Sequence, residues 1–286
     1  MNHAPYETQL WQLYDSLLFT GINLRAMVSP IEAAVIGIIQ GVLEWLPVSS
    51  EGNLTLFLVS VLGLDPSETL GLTVFLHLGT GLAALAYYRQ ESWSIIAGAT
   101  ERDRDMRLRL FVITGLTGAV GLPIFIYLTV STAIGEALLA LTGLALIATG
   151  LMQKRRDAAG ERDASSITWP ETLALGVLQG LAIIPGLSRS GITTSAMLMR
   201  GLRSDESFNL SFLMSIPASF AAGFGLMLLD GFQVTAGAVM AVVVSAVVGY
   251  FSIGVLIGYA EKTSFWKICL GLGALALLGW APSLLV

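Results

Sequence analysis

Residues 37–55 read GIIQGVLEWLPVSSEGNLT, and residues 176–194 read GVLQGLAIIPGLSRSGITT. The two stretches are versions of one another. Each opens Gly-x-x-Gln-Gly, continues through an apolar run and reaches a proline, Pro47 or Pro185, before a turn rich in serine and glycine. Aligning the prolines takes a one-residue gap upstream. A helix broken by Pro and Gly exposes backbone amides, which hydrocarbon tolerates only where protein or a water-filled cavity satisfies them. Paired broken segments in the two halves of a membrane protein point to a binding site between them.

The rest of the chain fits a membrane setting. Of 286 residues, 55% are hydrophobic and 12% charged, with mean hydropathy +0.76, about half the charge of a soluble domain. Apolar segments cover 30–46 with 54–64, 68–88, 108–129, 132–152, 170–184 with 191–199, 207–229, 234–260 and 265–285. The two pairs joined at Pro47 and Pro185 have arms too short to cross, since a full span needs ~20 residues. The expectation is an all-α polytopic membrane protein with about six full transmembrane helices and two re-entrant helical hairpins. Residues 1–28 read as an N-terminal extension holding an interfacial amphipathic helix over 8–27. Residues 29–286 read as one membrane domain, repeat 1 covering about 29–152 and repeat 2 about 169–286.

Charge orders the loops. With Tyr88 at the cytoplasmic end of its span, thirteen of the 15 lysines and arginines fall on one side, as the positive-inside rule expects. The exceptions are Arg25, outside, and Arg189, within the membrane. The first hairpin then enters from outside and the second from the cytoplasm, an inverted repeat whose tips meet near the midplane. Gly37-x-x-x-Gly41 and Gly176-x-x-x-Gly180 would let helices approach closely. The basic residues lack interleaved aromatics, which argues against a nucleic-acid surface. Cys269, the single cysteine, excludes an intramolecular disulfide and a cysteine metal cluster.

Two side chains anchor the chemistry. An arginine at membrane depth costs on the order of 3 kcal/mol, so Arg189 calls for an anionic partner. It sits among Ser188, Ser190, Gly191, Thr193 and Thr194, and hydroxyls and amides at a helix start beside a guanidinium make a phosphate cradle. A structural Arg–Glu pair is the plainer reading. Glu44 shares a helix face with Gln40, four residues earlier; it is suited to pairing with Arg189, binding a divalent cation or handling protons. In the first turn, Ser49 and Ser50 are candidate helix caps, Ser49 also a candidate phosphate ligand, Ser50 a candidate nucleophile, and Glu51 a second carboxylate for a hard cation.

Over roughly 29–286 the chain closely resembles the undecaprenyl-diphosphate phosphatase family, of the bacitracin-resistance type. The resemblance rests on Gln40-Gly-Val-Leu-Glu44-Trp-Leu-Pro-Val-Ser-Ser50-Glu-Gly-Asn53 and Pro185-Gly-Leu-Ser-Arg189-Ser-Gly191. It implies hydrolysis of a polyprenyl diphosphate to the monophosphate plus phosphate in the plasma membrane, at a site open to the extracytoplasmic side. By resemblance Glu44 matches the essential glutamate, Ser50 the nucleophile or phosphate ligand, and Arg189 the phosphate clamp with Ser188 and Ser190 beside it. It implies Mg²⁺ or Ca²⁺ as cofactor, Glu44 and Glu51 being the expected ligands. Expected partners are the polyprenyl diphosphate and membrane lipids, with a homodimer left open. Three positions depart from the family pattern: Gln40 stands for a glutamate, Glu51 for a small residue, and Asn53 for a histidine thought to be base or nucleophile. Asn does not titrate near neutral pH. Three repairs present themselves: Glu51 or Glu44 as base, a cation activating Ser50 or water, or His77 reaching the site. A non-hydrolytic carrier of polyprenyl phosphate on the same scaffold is the alternative function.

Overall fold

The computed structural model describes residues 29–64, 66–130, 132–154, 160–229, 234–262 and 265–281; the interfacial helix expected over 8–27 lies outside them. The described residues form eleven α-helices and no strand. In chain order these are α1 (Pro30–Leu43), α2 (Ser50–Ser60), α3 (Pro66–Tyr87), α4 (Arg89–Ala97), α5 (Glu101–Val130) and α6 (Thr132–Lys154). The second half holds α7 (Trp169–Leu181), α8 (Arg189–Met199), α9 (Ser204–Leu229), α10 (Ala236–Lys262) and α11 (Trp266–Trp280).

The first arms of the two broken segments start alike. Ser29 caps α1, its N–H donating to Glu32 Oε2 at 2.6 Å and its hydroxyl accepting from Glu32 N at 3.3 Å, with Pro30 at the first turn. At α7, Thr168 N donates to Glu171 Oε2 at 2.8 Å, and Pro170 occupies the first turn. Both are capping-box starts with a pre-set φ from proline. With 14 and 13 residues, these arms reach only about 20 Å at ~1.5 Å per residue, well short of a hydrocarbon core.

Among the described residues, four helices are long and apolar enough to cross a membrane: Thr69–Tyr87, Glu101–Leu128, Ser204–Leu228 and Ala236–Leu256. Within the described residues α6 and α11 contribute shorter apolar lengths, Leu138–Lys154 and Trp266–Leu278, where the sequence reading expects full spans. Of the four, α3 has most of its apolar stretch buried, while α5 has most of its own exposed. The inner helix therefore carries the polar side chains Thr73 and His77, and the outer one turns Leu108, Phe111 and Ile126 outward.

One expectation is corrected. The charged stretch after Tyr88 is not a loop: α4 occupies 89–97, and α5 begins at Glu101, seven residues before the expected start at Leu108. Thr100 and Asp103 exchange cap hydrogen bonds of 3.0 and 3.1 Å to start α5. Arg104 and Arg107 reach back to the carbonyls of Gly98 and Ile96, closing the end of α4. Arginines that look like loop charges are helix-terminus partners.

The glycines at four-residue spacing do bring helices together, and each broken segment uses them against a helix from the other half of the chain. α1 packs on α10 and α7 packs on α5. A Cβ on Gly37 would lie 2.5 Å from the Ala241 carbonyl oxygen, and one on Gly41 2.8 Å from that of Ser245. Likewise a Cβ on Gly176 would meet Leu116 Cβ at 2.8 Å, and one on Gly180 would meet Val120 Cβ at 2.7 Å. α3 packs against α9 and α10, and α6 against α11.

Candidate active site

The two turns meet. Gly52, in the first turn of α2, is so close to Gly186 that a Cβ on it would lie 2.8 Å from Gly186 Cα and N. Ser190 Oγ, at the start of α8, donates to the Leu46 carbonyl at 3.2 Å. Each second arm starts on a serine whose hydroxyl accepts a backbone N–H three residues on: Ser49 from Gly52 and Ser188 from Gly191, both at 3.1 Å. These are N-caps that satisfy amides left open by the break.

Glu44 stands at the centre. It is the residue that ends α1, and it is 5% exposed. Its Oε1 forms an ion pair with Arg189 Nη2. Its Oε2 accepts from Ser50 Oγ at 2.6 Å and from Gln40 Nε2 at 3.0 Å. Nε2 of His77 lies 3.5 Å from the same oxygen. Nδ1 of His77 lies 2.9 Å from the Thr73 carbonyl, an acceptor only, so Nδ1 carries a proton and Nε2 is the atom left to face Glu44. Arg189 in turn donates Nη1 to the Ser211 carbonyl at 3.0 Å, over the ring of Phe212. A buried acid held between a hydroxyl and a guanidinium has the chemistry that general-base and anion-clamp roles require.

These side chains wall a small cavity shared by Glu44, Leu46, Ser49, Ser50, Glu51, His77, Ala182, Leu187, Ser188, Arg189 and Ser190. It offers about 20 Å³, enough for a water and too little for a diphosphate. Glu51 is 6% exposed, and its Oε1 has no hydrogen-bond partner among the described residues. Among those residues no group of three His, Cys, Asp or Glu side chains is placed to hold a metal. The feature that would suit a hard cation is the buried, unpartnered oxygen of Glu51 near Glu44; such an ion would need further oxygens from outside the protein.

Most expected residues come together, and four stand back from the cavity wall. Asn53 turns away and donates Nδ2 to the carbonyls of Val48 and Ser49, both at 2.8 Å. Gln40 acts only through Glu44. The Gly191 amide is committed to the Ser188 hydroxyl, so it is not free for a phosphate. Thr193 donates to the Arg189 carbonyl at 2.7 Å and meets Ser211 Oγ at 2.8 Å, which braces the clamp from behind. Sequence reasoning misses Thr149, Gln153, Ser211 and Cys269, whose contacts with the site come from distant helices. Polarity inside apolar runs is the signal that could have found Thr149 and Gln153.

Relatives of the sequence carry a name. The family profile described as "Bacitracin resistance protein BacA" matches residues 33–275. The undecaprenyl-diphosphatase of Haloarcula marismortui is 42% identical over 260 residues, covering 86% of this chain and 96% of that protein. The undecaprenyl-diphosphatase of Methanococcoides burtonii is 37% identical over 265 residues, 88% of this chain and 98% of its own length. That of Methanopyrus kandleri is 38% identical over 255 residues, with 86% and 94% covered. The matched segment contains both broken helices, the Glu44–Arg189 pair and the helices that brace them, and the chain belongs to the bacitracin resistance protein BacA family.

Proposed function

We propose that this protein is an integral-membrane hydrolase that converts an undecaprenyl-type polyprenyl diphosphate to the monophosphate plus inorganic phosphate, recycling the lipid carrier. The carrying observation is Glu44, which accepts the Ser50 hydroxyl on one oxygen and the Arg189 guanidinium on the other. Relatives named undecaprenyl-diphosphatase support the same activity.

In this reading α1–α2 and α7–α8 are re-entrant hairpins of an inverted repeat, supported by the reciprocal packing of α1 on α10 and α7 on α5. Residues 29–286 form the one domain that carries the reaction. The site lies in the plasma membrane and opens to the extracytoplasmic side, with the tail leaving sideways between helices. The charge distribution of the loops supports this orientation.

The distal phosphate is held by Arg189 with the hydroxyls of Ser188, Ser190 and Ser49. Ser50 Oγ, or a water in its place, attacks the terminal phosphorus, and the proton leaving the nucleophile passes to Glu44 Oε2. The bridging P–O bond breaks and the lipid monophosphate departs with its electron pair. When Ser50 is the nucleophile, water then cleaves the phosphoserine. The proton role that the resemblance gives to a histidine at position 53 falls to Glu44 with His77 behind it. A divalent cation, Mg²⁺ or Ca²⁺, would be held by the unpartnered oxygen of Glu51 together with Glu44, and would supply neutralisation of phosphate charge.

The test is phosphate release by purified protein in detergent with Mg²⁺ or Ca²⁺. Wild type is expected to release phosphate, and Glu44→Gln to lose at least ~10²-fold in rate. A wild type that binds lipid phosphate but releases none would replace this reading with the carrier.

A further inference from the structure

Two buried polar side chains on α6 take no part in the chemistry, yet each holds one of the two turns. Thr149 is 0% exposed and uses both of its hydrogen-bonding capacities on the second turn. Its hydroxyl donates to the Gly186 carbonyl at 3.1 Å and accepts the Ser188 N–H at 3.1 Å. Ser188 caps the helix whose first residue is Arg189. Gln153, 4% exposed, donates Nε2 to the Pro47 carbonyl in the first turn. The same carbonyl takes the Cys269 thiol at 3.4 Å.

Such backbone groups have to be paired when a turn sits away from water. Here the pairing comes from outside both hairpins. Residues four apart share one face of a helix and are separated by about 6 Å along its axis. Among the described residues, direct links between the two segments are the Ser190 Oγ bond to the Leu46 carbonyl and the Arg189–Glu44 ion pair. α6 is itself held firmly. Cβ atoms on Gly143 and Gly150 would lie 2.9 and 3.0 Å from the carbonyl oxygens of Gly273 and Trp266 on α11. That close contact also delivers Cys269 to Pro47.

We propose that Thr149 and Gln153 are positioning residues that fix the spacing between the phosphate-gripping turn and the turn bearing Ser50. Neither lines the cavity, and each hydrogen-bonds to one turn, although the Gln153 amide also lies against Gly191. The kinetic part of this inference rests on the phosphatase reading; the binding part rests only on Arg189 and its turn gripping phosphate. The two residues should therefore have different signatures although they are neighbours on one helix. Thr149 governs headgroup affinity. Gln153 governs the rate of the chemical step.

The experiment uses the full chain in detergent, with calorimetric binding of inorganic phosphate, kcat and KM on a polyprenyl diphosphate, and the thermal midpoint. Thr149→Val keeps the volume and removes both hydrogen bonds; phosphate affinity is expected to weaken about tenfold and KM to rise with it, kcat changing far less. Gln153→Met is expected to lower kcat about tenfold with phosphate affinity held. Thr149→Ser retains the hydroxyl and should return wild-type values. The proposal is overturned if Ser behaves like Val, if both variants match wild type, or if both lower kcat and affinity together in step with the thermal midpoint. Failure of wild type to bind inorganic phosphate overturns the clamp and the spacing role with it. A wild type that binds phosphate but hydrolyses no lipid refutes the phosphatase reading alone, and Thr149→Val against Gln153→Met in the binding measurement still decides the spacing role.

Discussion

The turn after Pro47 and the turn after Pro185 solve one backbone problem in two ways. In the second, Gly186 takes the left-handed step at φ 98°, and Ser188 caps the helix at an ordinary φ of −68°. In the first, Ser49 takes both jobs: it caps α2 and adopts φ 62°, the one positive φ at a non-glycine among the described residues. A serine in that region carries strain of order 1 kcal/mol, tolerated where the surroundings over-determine the geometry. The charges are opposite as well. Four residues past its proline the first turn has Glu51, and the second has Arg189. One loop is relaxed and cationic, the other strained and acidic, which on the proposed reading makes the second the gripping turn and the first the reacting turn.

The charge difference gives the largest test. Arg189→Ala should lower phosphate release by about 10³-fold, because the clamp and the counter-charge of Glu44 go together. Arg189→Lys should recover only part, since an ammonium cannot reproduce the planar fork that serves Glu44 and the Ser211 carbonyl at once. Activity that survives Arg189→Ala would remove the gripping half from the comparison.

The backbone difference comes next. Gly186→Ala faces a left-handed φ and a Cβ 2.3 Å from the Thr142 carbonyl oxygen, so it should cost about 2 kcal/mol or more in thermal or denaturant unfolding. A neutral result would mean that the second turn is no tighter than the first.

A smaller effect is expected at Asn53. Its amide ties the carbonyls of Val48 and Ser49, which keeps the strained turn in place. Asn53→His should lower stability by roughly 1 kcal/mol and bring no gain in rate. A rate increase measured in the phosphate assay would instead show that the turn can host a base at that position.

The smallest lies outside the turns, where the second hairpin starts. Glu171 pairs with Arg162 at 3.0 Å and Arg200 at 2.9 Å, with Arg200 67% exposed and screened by solvent. Glu171→Gln should cost about 1 kcal/mol or less, read as a small fall in thermal midpoint that fades at high salt. A large fall would place more of the second hairpin's stability in this ion cluster than in Gly176 and Gly180.

Much of this was legible from local pattern. Pro47, Pro185 and their glycines mark the breaks; an arginine in apolar sequence demands a partner, and Glu44 was the acid on offer. His77 could be named because the chain has only two histidines. The helical character of 89–107 was hidden because cap partners such as Arg104 and Arg107 look like ordinary loop charges. Thr149, Gln153 and Cys269 were hidden for another reason. They act on backbone groups 37, 106 and 222 residues away, and no periodicity encodes a partner at that range.

The Glu44–Arg189 contact has one more consequence. With both oxygens of the acid and both ends of the guanidinium already engaged, an incoming anion does not simply add to a vacant receptor; it must displace a competitor that is part of the protein. On the proposed phosphatase reading, headgroup affinity is a difference between two partnerships, and departure of orthophosphate would let the internal pair close again.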